Sequence, residues 1–146
     1  MKSGYTLTEL LVTLGVLTIL LGIGTLSFTT LRLKNELDLI AAEVRAGLLR
    51  AQSEAINNID SGVYFETGRF VYFKGDAYME GAPDNEETDL PPAVSISSIT
   101  FTDNIATFDS VNGYLENFSS PAQVVLSGGA ETHTISVNEW GLIAIE

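Results

Sequence analysis

Between Glu9 and Arg32 the chain reads LLVTLGVLTILLGIGTLSFTTL, Leu10 to Leu31, 22 residues without a charge. As a helix rising ~1.5 Å per residue, this run would measure roughly 33 Å, against a hydrocarbon core of about 30 Å. The run is therefore expected to be a transmembrane helix. A cleaved secretory signal is the competing reading. The apolar core of such a signal is shorter, about 7–15 residues, and a small-residue cleavage site follows it. Here Arg32-Leu33-Lys34-Asn35 follows instead. Gly15, Gly22 and Gly24 weaken the helix by about 1 kcal/mol each relative to Ala, but they allow close approach of a neighbouring helix. Lys2 precedes the run and Arg32 and Lys34 follow it, so counting basic residues leaves its orientation open.

Downstream, the pattern changes from uniformly apolar to periodic. Leu33, Leu37, Ile40, Val44, Leu48, Ala51 and Ala55 recur at intervals of three and four. That spacing places them on one face of an amphipathic helix. No Pro precedes Pro83. One helix is therefore expected from about Tyr5 to Ile56, stopping at Asn57-Asn58, where Asn tolerates the left-handed cap conformation. Its apolar stripe should dock against the β-rich remainder of the chain.

After Asn58 the period becomes two. Val63–Glu66 and Arg69–Lys74, separated by Thr67-Gly68, predict a hairpin. Further strands are expected at 94–101, 106–111, 122–127, 132–137 and 142–145. Residues 75–92 hold Asp76, Glu80, Asp84, Glu86, Glu87, Asp89 and three prolines, and predict an exposed, mobile loop. Its carboxylates are hard ligands of the kind calcium takes, but they lack the ordered D-x-[DN]-x-[DN]-G spacing, so a solvated acidic loop is expected. Trp140, before Gly141, is expected to cap the edge of the core. The expected fold is α+β: a long N-terminal α-helix, transmembrane then amphipathic, packed on a small antiparallel β head. Its divisions are 1–4, 5–31, 32–58 and 59–146.

Charge narrows the function. Residues 1–58 hold 5 basic and 5 acidic groups, whereas residues 59–146 hold 2 basic and 14 acidic. Phosphate contacts need clustered Lys and Arg, so no nucleic-acid partner is expected for this head. With no Cys and a single His, thiolate sites, disulfides, cysteine catalysis and multi-histidine metal sites are excluded. His133 sits in an expected strand, with no nucleophile or carboxylate constellation around it. No catalytic residue, metal ligand or cofactor is assigned, and an enzyme is not expected.

Glu9 stands apart. A charge at the centre of a membrane helix costs on the order of 2.5–3.5 kcal/mol, and less near an end. It needs either a partner or a position at headgroup level, where water solvates it. The residues around it, Lys2-Ser3-Gly4-Tyr5-Thr6-Leu7-Thr8-Glu9-Leu10-Leu11-Val12, resemble the class III signal of type IV pilins and type II secretion pseudopilins. That pattern is a short basic leader ending in Gly, an aromatic residue, a Glu at the fifth position of the mature chain, and an apolar helix. The resemblance covers residues 1–31. A weaker likeness, in Arg50-Ala51-Gln52-Ser53-Glu54-Ala55-Ile56, is to the GspH/FimT-type minor pilins and pseudopilins. So is Thr134–Ile145, although Gly141-Leu142 stands where a Gly-Arg pair is frequent.

The resemblance implies a pilin-like fold. It implies cleavage between Gly4 and Tyr5 by a prepilin peptidase, N-methylation of Tyr5, and pairing of Glu9 with the N-terminal amine of a neighbouring subunit in a filament. The implied partners are the peptidase, other pilin or pseudopilin subunits, an inner-membrane assembly platform, and membrane lipid before assembly. The implied location is a single-pass inner-membrane protein with an extracytoplasmic head, later part of a pilus or pseudopilus. A filament-displayed binding protein, either a DNA-uptake receptor or an adhesin, is the alternative.

Overall fold

The structure, a computed structural model, describes residues 6–146, without the side chains of residues 23–28. Helix α1 spans Leu7–Ile56. The chain divides after Arg32 into two compact units.

In the first unit the described apolar side chains face outward all around the helix. Leu7, Leu10, Leu11, Val12, Leu14, Val16, Leu17, Ile19, Leu20 and Leu21 are all at least half exposed. The hydroxyls of Thr13 and Thr18 donate back to the carbonyls of Leu10 (2.9 Å) and Leu14 (2.7 Å), so their polarity is satisfied within the helix.

The second unit contains the rest of α1 and eight strands: β1 (Ser61–Glu66), β2 (Arg69–Lys74), β3 (Glu86–Asp89), β4 (Val94–Ile99), β5 (Ile105–Thr107), β6 (Gln123–Gly128), β7 (Glu131–Val137) and β8 (Ile143–Ile145). They form two four-stranded sheets, ordered β3-β2-β1-β5 and β4-β6-β7-β8. Every pairing is antiparallel. The helical stripe is buried as its spacing requires: Leu37, Ile40, Val44, Leu48, Ala51 and Ala55, joined by Ala41. It shares one core cluster with Val63, Phe65 and Phe70 of the first sheet and Val124, Leu126, Ile135 and Val137 of the second. The helix ends where Asn58 adopts a positive φ of 58°, and its N–H donates to the Ala55 carbonyl at 2.8 Å.

The expected fold needs correction on two counts. The β part is not a small head of seven strands but two four-stranded antiparallel sheets, eight strands in all. Nor, among the described residues, is any helix long and apolar enough to cross a membrane. Glu9 stands in the first turn of α1, and from Arg32 to Glu54 the same helix carries eight charged side chains.

A third correction concerns residues 75–92. Most of them are exposed, as expected, but Tyr78 and residues 86–89 are docked on the first sheet. Tyr78 folds back to stack on Tyr64 at 4.1 Å and meets Phe73 edge-on at 5.7 Å, covering the second face of the first sheet. Residues 86–89 then pair with β2 as an edge strand.

Candidate functional site

The expected cleavage and methylation positions, Gly4 and Tyr5, lie outside the described residues. Glu9 lies in the first turn of α1, where it caps the helix. Its Oε2 accepts from the Thr6 N–H at 3.1 Å and the Thr6 hydroxyl at 3.0 Å, while the Glu9 N–H donates to Thr6 Oγ1 at 3.3 Å. This is a reciprocal capping box, in which the first residue and the fourth satisfy each other's orphan donors. The Thr-x-x-Glu spacing is its sequence signal. Among the described residues no cation is paired with Glu9.

In the second unit, the polar chemistry concentrates where the end of α1 meets the first sheet. Arg50 donates two parallel bonds to Glu86, Nη1 to Oε2 at 2.6 Å and Nη2 to Oε1 at 2.9 Å, and a third from Nε to Glu54 at 3.2 Å. The Tyr72 hydroxyl donates a short bond to the other oxygen of Glu54. Burial, and then that bond to Glu54, push the Tyr72 hydroxyl up to about 12. The bond from Tyr72 holds Glu54 below the usual carboxylate range, and the bonds from Arg50 do the same for Glu86. A second arginine, Arg69, gathers Glu66 (2.7 Å), Glu87 (3.0 Å) and Glu80 (3.4 Å). Two guanidinium groups thus pair with Glu80, Glu86 and Glu87, three of the six carboxylates of residues 75–92, and hold the strand of that segment in place.

Gln52, one turn from the end of the helix, joins two loops. Its Nε2 donates to the Gly113 carbonyl at 2.7 Å and to the Gly141 carbonyl at 2.9 Å. Trp140, expected to cap the core, is instead 61% exposed. Beside it, the backbone at Gly141 packs so closely on Gly113 that no Cβ would fit. His133 Nε2 lies 2.6 Å from Asp38 Oδ1, tying β7 to the helix.

Asp60, Asp76 and Glu116 line a hollow of about 230 Å³ with Ser61 and Thr107. A hydrogen bond between Asp60 and Asp76, together with their mutual repulsion, raises the Asp60 carboxyl above its usual range. Among the described residues no group of three or more His, Cys, Asp or Glu side chains is placed to hold a metal ion.

The chain matches no protein-family model, no curated protein and no solved structure.

Proposed function

We propose that this chain is a structural subunit of a filament of the type IV pilus or type II secretion pseudopilus kind, a minor subunit in composition, assembled through its N-terminal helix. One observation carries the reading: the helix presents large apolar side chains on every side. Leu7, Val12, Ile19 and Leu21 are 65–80% exposed. A helix apolar all round is stable only when something covers it completely. Burial at about 25 cal/mol per Å² makes sibling helices an effective cover. A methyl group added at Gly15 or Gly22 would meet nothing within 4 Å, which leaves room for a second backbone to approach.

The motif around Gly4 and Tyr5 supplies the rest of the reading. A prepilin peptidase would release Tyr5 as a methylated N-terminus. Glu9 would meet the amine of a neighbouring subunit, so that a misplaced subunit leaves a charge unpaired. The acidic head would then be carried outside the cytoplasm on the filament, with an inner-membrane platform as its assembly partner. The role is structural, not enzymatic.

Mass spectrometry of the protein from its native host tests the processing step. The expected chain begins at N-methylated Tyr5. A chain retaining Met1 in cells that possess the peptidase would contradict the proposal.

A further inference from the structure

We propose that the aromatic platform formed by Tyr114 and Trp140 is a docking surface for a different protein, one whose contact face is apolar at its centre and ringed by Lys or Arg. This inference goes beyond the filament reading and does not depend on it, because the platform lies on loops of the β part.

The two rings meet edge to face, with centroids 5.3 Å apart and planes at 89°. Trp140 is 61% exposed, Leu142 67% and Val111 79%. Trp and Tyr are the residues most often found at the energetic centre of protein interfaces. The loops that carry them are tightly held. Asp109 Oδ1 accepts from the N–H groups of Val111, Asn112 and Gly113. Asn138 Oδ1 accepts from the Leu142 N–H at 2.8 Å, and the Asn138 carbonyl accepts from the Gly141 N–H at 2.9 Å. Gln52 then fastens the two loops together through Gly113 and Gly141. A platform held this way loses little conformational freedom when it is covered.

Charge selects the occupant. From Gly75 to Glu146 there are 12 acidic residues and no Lys or Arg. Glu139, adjacent to Trp140 in the chain, is exposed. A second copy would set one strongly acidic β part against another, and an anionic lipid surface would be repelled in the same way. A basic-rimmed partner is instead attracted and oriented before contact.

Trp140 is the only tryptophan of the chain, so its fluorescence reports on this platform and nowhere else. The test titrates the full chain with an amphipathic Leu/Arg peptide, its Leu/Glu counterpart, and phosphatidylcholine vesicles. The expected result is a saturable blue shift with the Leu/Arg peptide alone, weakened by salt and by about tenfold in Tyr114→Ala. Glu139→Lys should weaken it too, with an unchanged circular dichroism spectrum. In the native host, a photoreactive side chain at Leu142 should cross-link to a segment of another protein with Lys or Arg beside apolar residues. An equal response to the Leu/Glu peptide, a shift with vesicles, a concentration-dependent shift of the chain alone, or cross-links only to a second copy or to nothing would overturn the proposal.

Discussion

The Arg50 guanidinium lies 4.0 Å from the centroid of the Tyr72 ring, over its face, while its nitrogens hold Glu86 and Glu54. One helix side chain thereby organises a ring and two carboxylates from three separate elements. The pairs are partly exposed, Arg50 41% and Glu86 58%, so the bonds alone stabilise modestly. The sum of the ion pairs and the cation–π contact is roughly 1–2 kcal/mol. Arg50→Ala should lower stability by about that much in thermal or urea unfolding. Arg50→Lys should recover only part of the loss, since an ammonium cannot make the parallel pair.

The same cluster sets a pH dependence. Glu54 and Glu86 lie below the ordinary value of 4.5, because Tyr72 donates to the first and Arg50 to the second. The folded chain binds these protons more weakly than the unfolded chain. Their contribution is complete above pH 4.5 and is lost as pH falls through the lowered folded values. Tyr72 acts at the other end: burial, then Glu54, lifts it from 10 to about 12, so its contribution is present below pH 10 and lost as pH rises towards 12. Unfolding midpoints measured against pH should fall in both windows. Tyr72→Phe should reduce the alkaline fall, leaving the share of Tyr78, whose hydroxyl burial also raises.

Gly141 has a positive φ of 74°, and a Cβ there would collide with the Gly113 carbonyl oxygen and with Gln52 Nε2. Gly141→Ala should therefore cost about 2–4 kcal/mol, from backbone strain and the broken approach together. Gln52→Ala leaves both glycine carbonyls without that donor and should cost roughly 1–3 kcal/mol. Denaturant titration of each variant checks both figures. Equal stability of Gly141→Ala and the parent would remove the packing argument.

Leu48 is fully buried on the helix stripe. Leu48→Ala should cost about 2–5 kcal/mol through the lost transfer energy and the cavity left behind. The equally apolar but exposed Leu142→Ala should change stability by less than about 0.5 kcal/mol. Calorimetry of the pair separates core from surface.

Much of the second unit is legible in the sequence because its signals are local. The stripe from Leu37 to Ala55 has the helical period, Asn58 offers a residue that accepts positive φ, and Thr67-Gly68 sits between two alternating runs that do pair as β1 and β2. Strand β3 is not legible, because Glu86-Glu87-Thr88-Asp89 has the composition of a solvated loop. Its order comes from β2 and from Arg50 and Arg69, which are distant in sequence. The docking of Tyr78 is hidden for the same reason. The exposure of Trp140 and the close approach of Gly141 to Gly113 beside it are also set by the folded chain and not by local sequence. The division of the strands between two sheets likewise rests on long-range pairing. Glu9 differs from these: Thr6-x-x-Glu9 is a local signal, masked by the apolar run after it, which makes the charge of Glu9 more conspicuous than its capping position.

That capping box also decides which variants separate charge from helix capping. Glu9→Ala would remove both the cap and the charge. Glu9→Gln keeps an N3 side chain able to serve the cap but removes the charge. Thr6→Ala does the reverse. The decisive measurement is the incorporation of Glu9→Gln into filaments in the native host, with protein level and head folding checked alongside. Loss of incorporation in Glu9→Gln, with incorporation retained in Thr6→Ala, is the predicted result. Glu9→Gln entering filaments as well as the parent chain would contradict the assembly role.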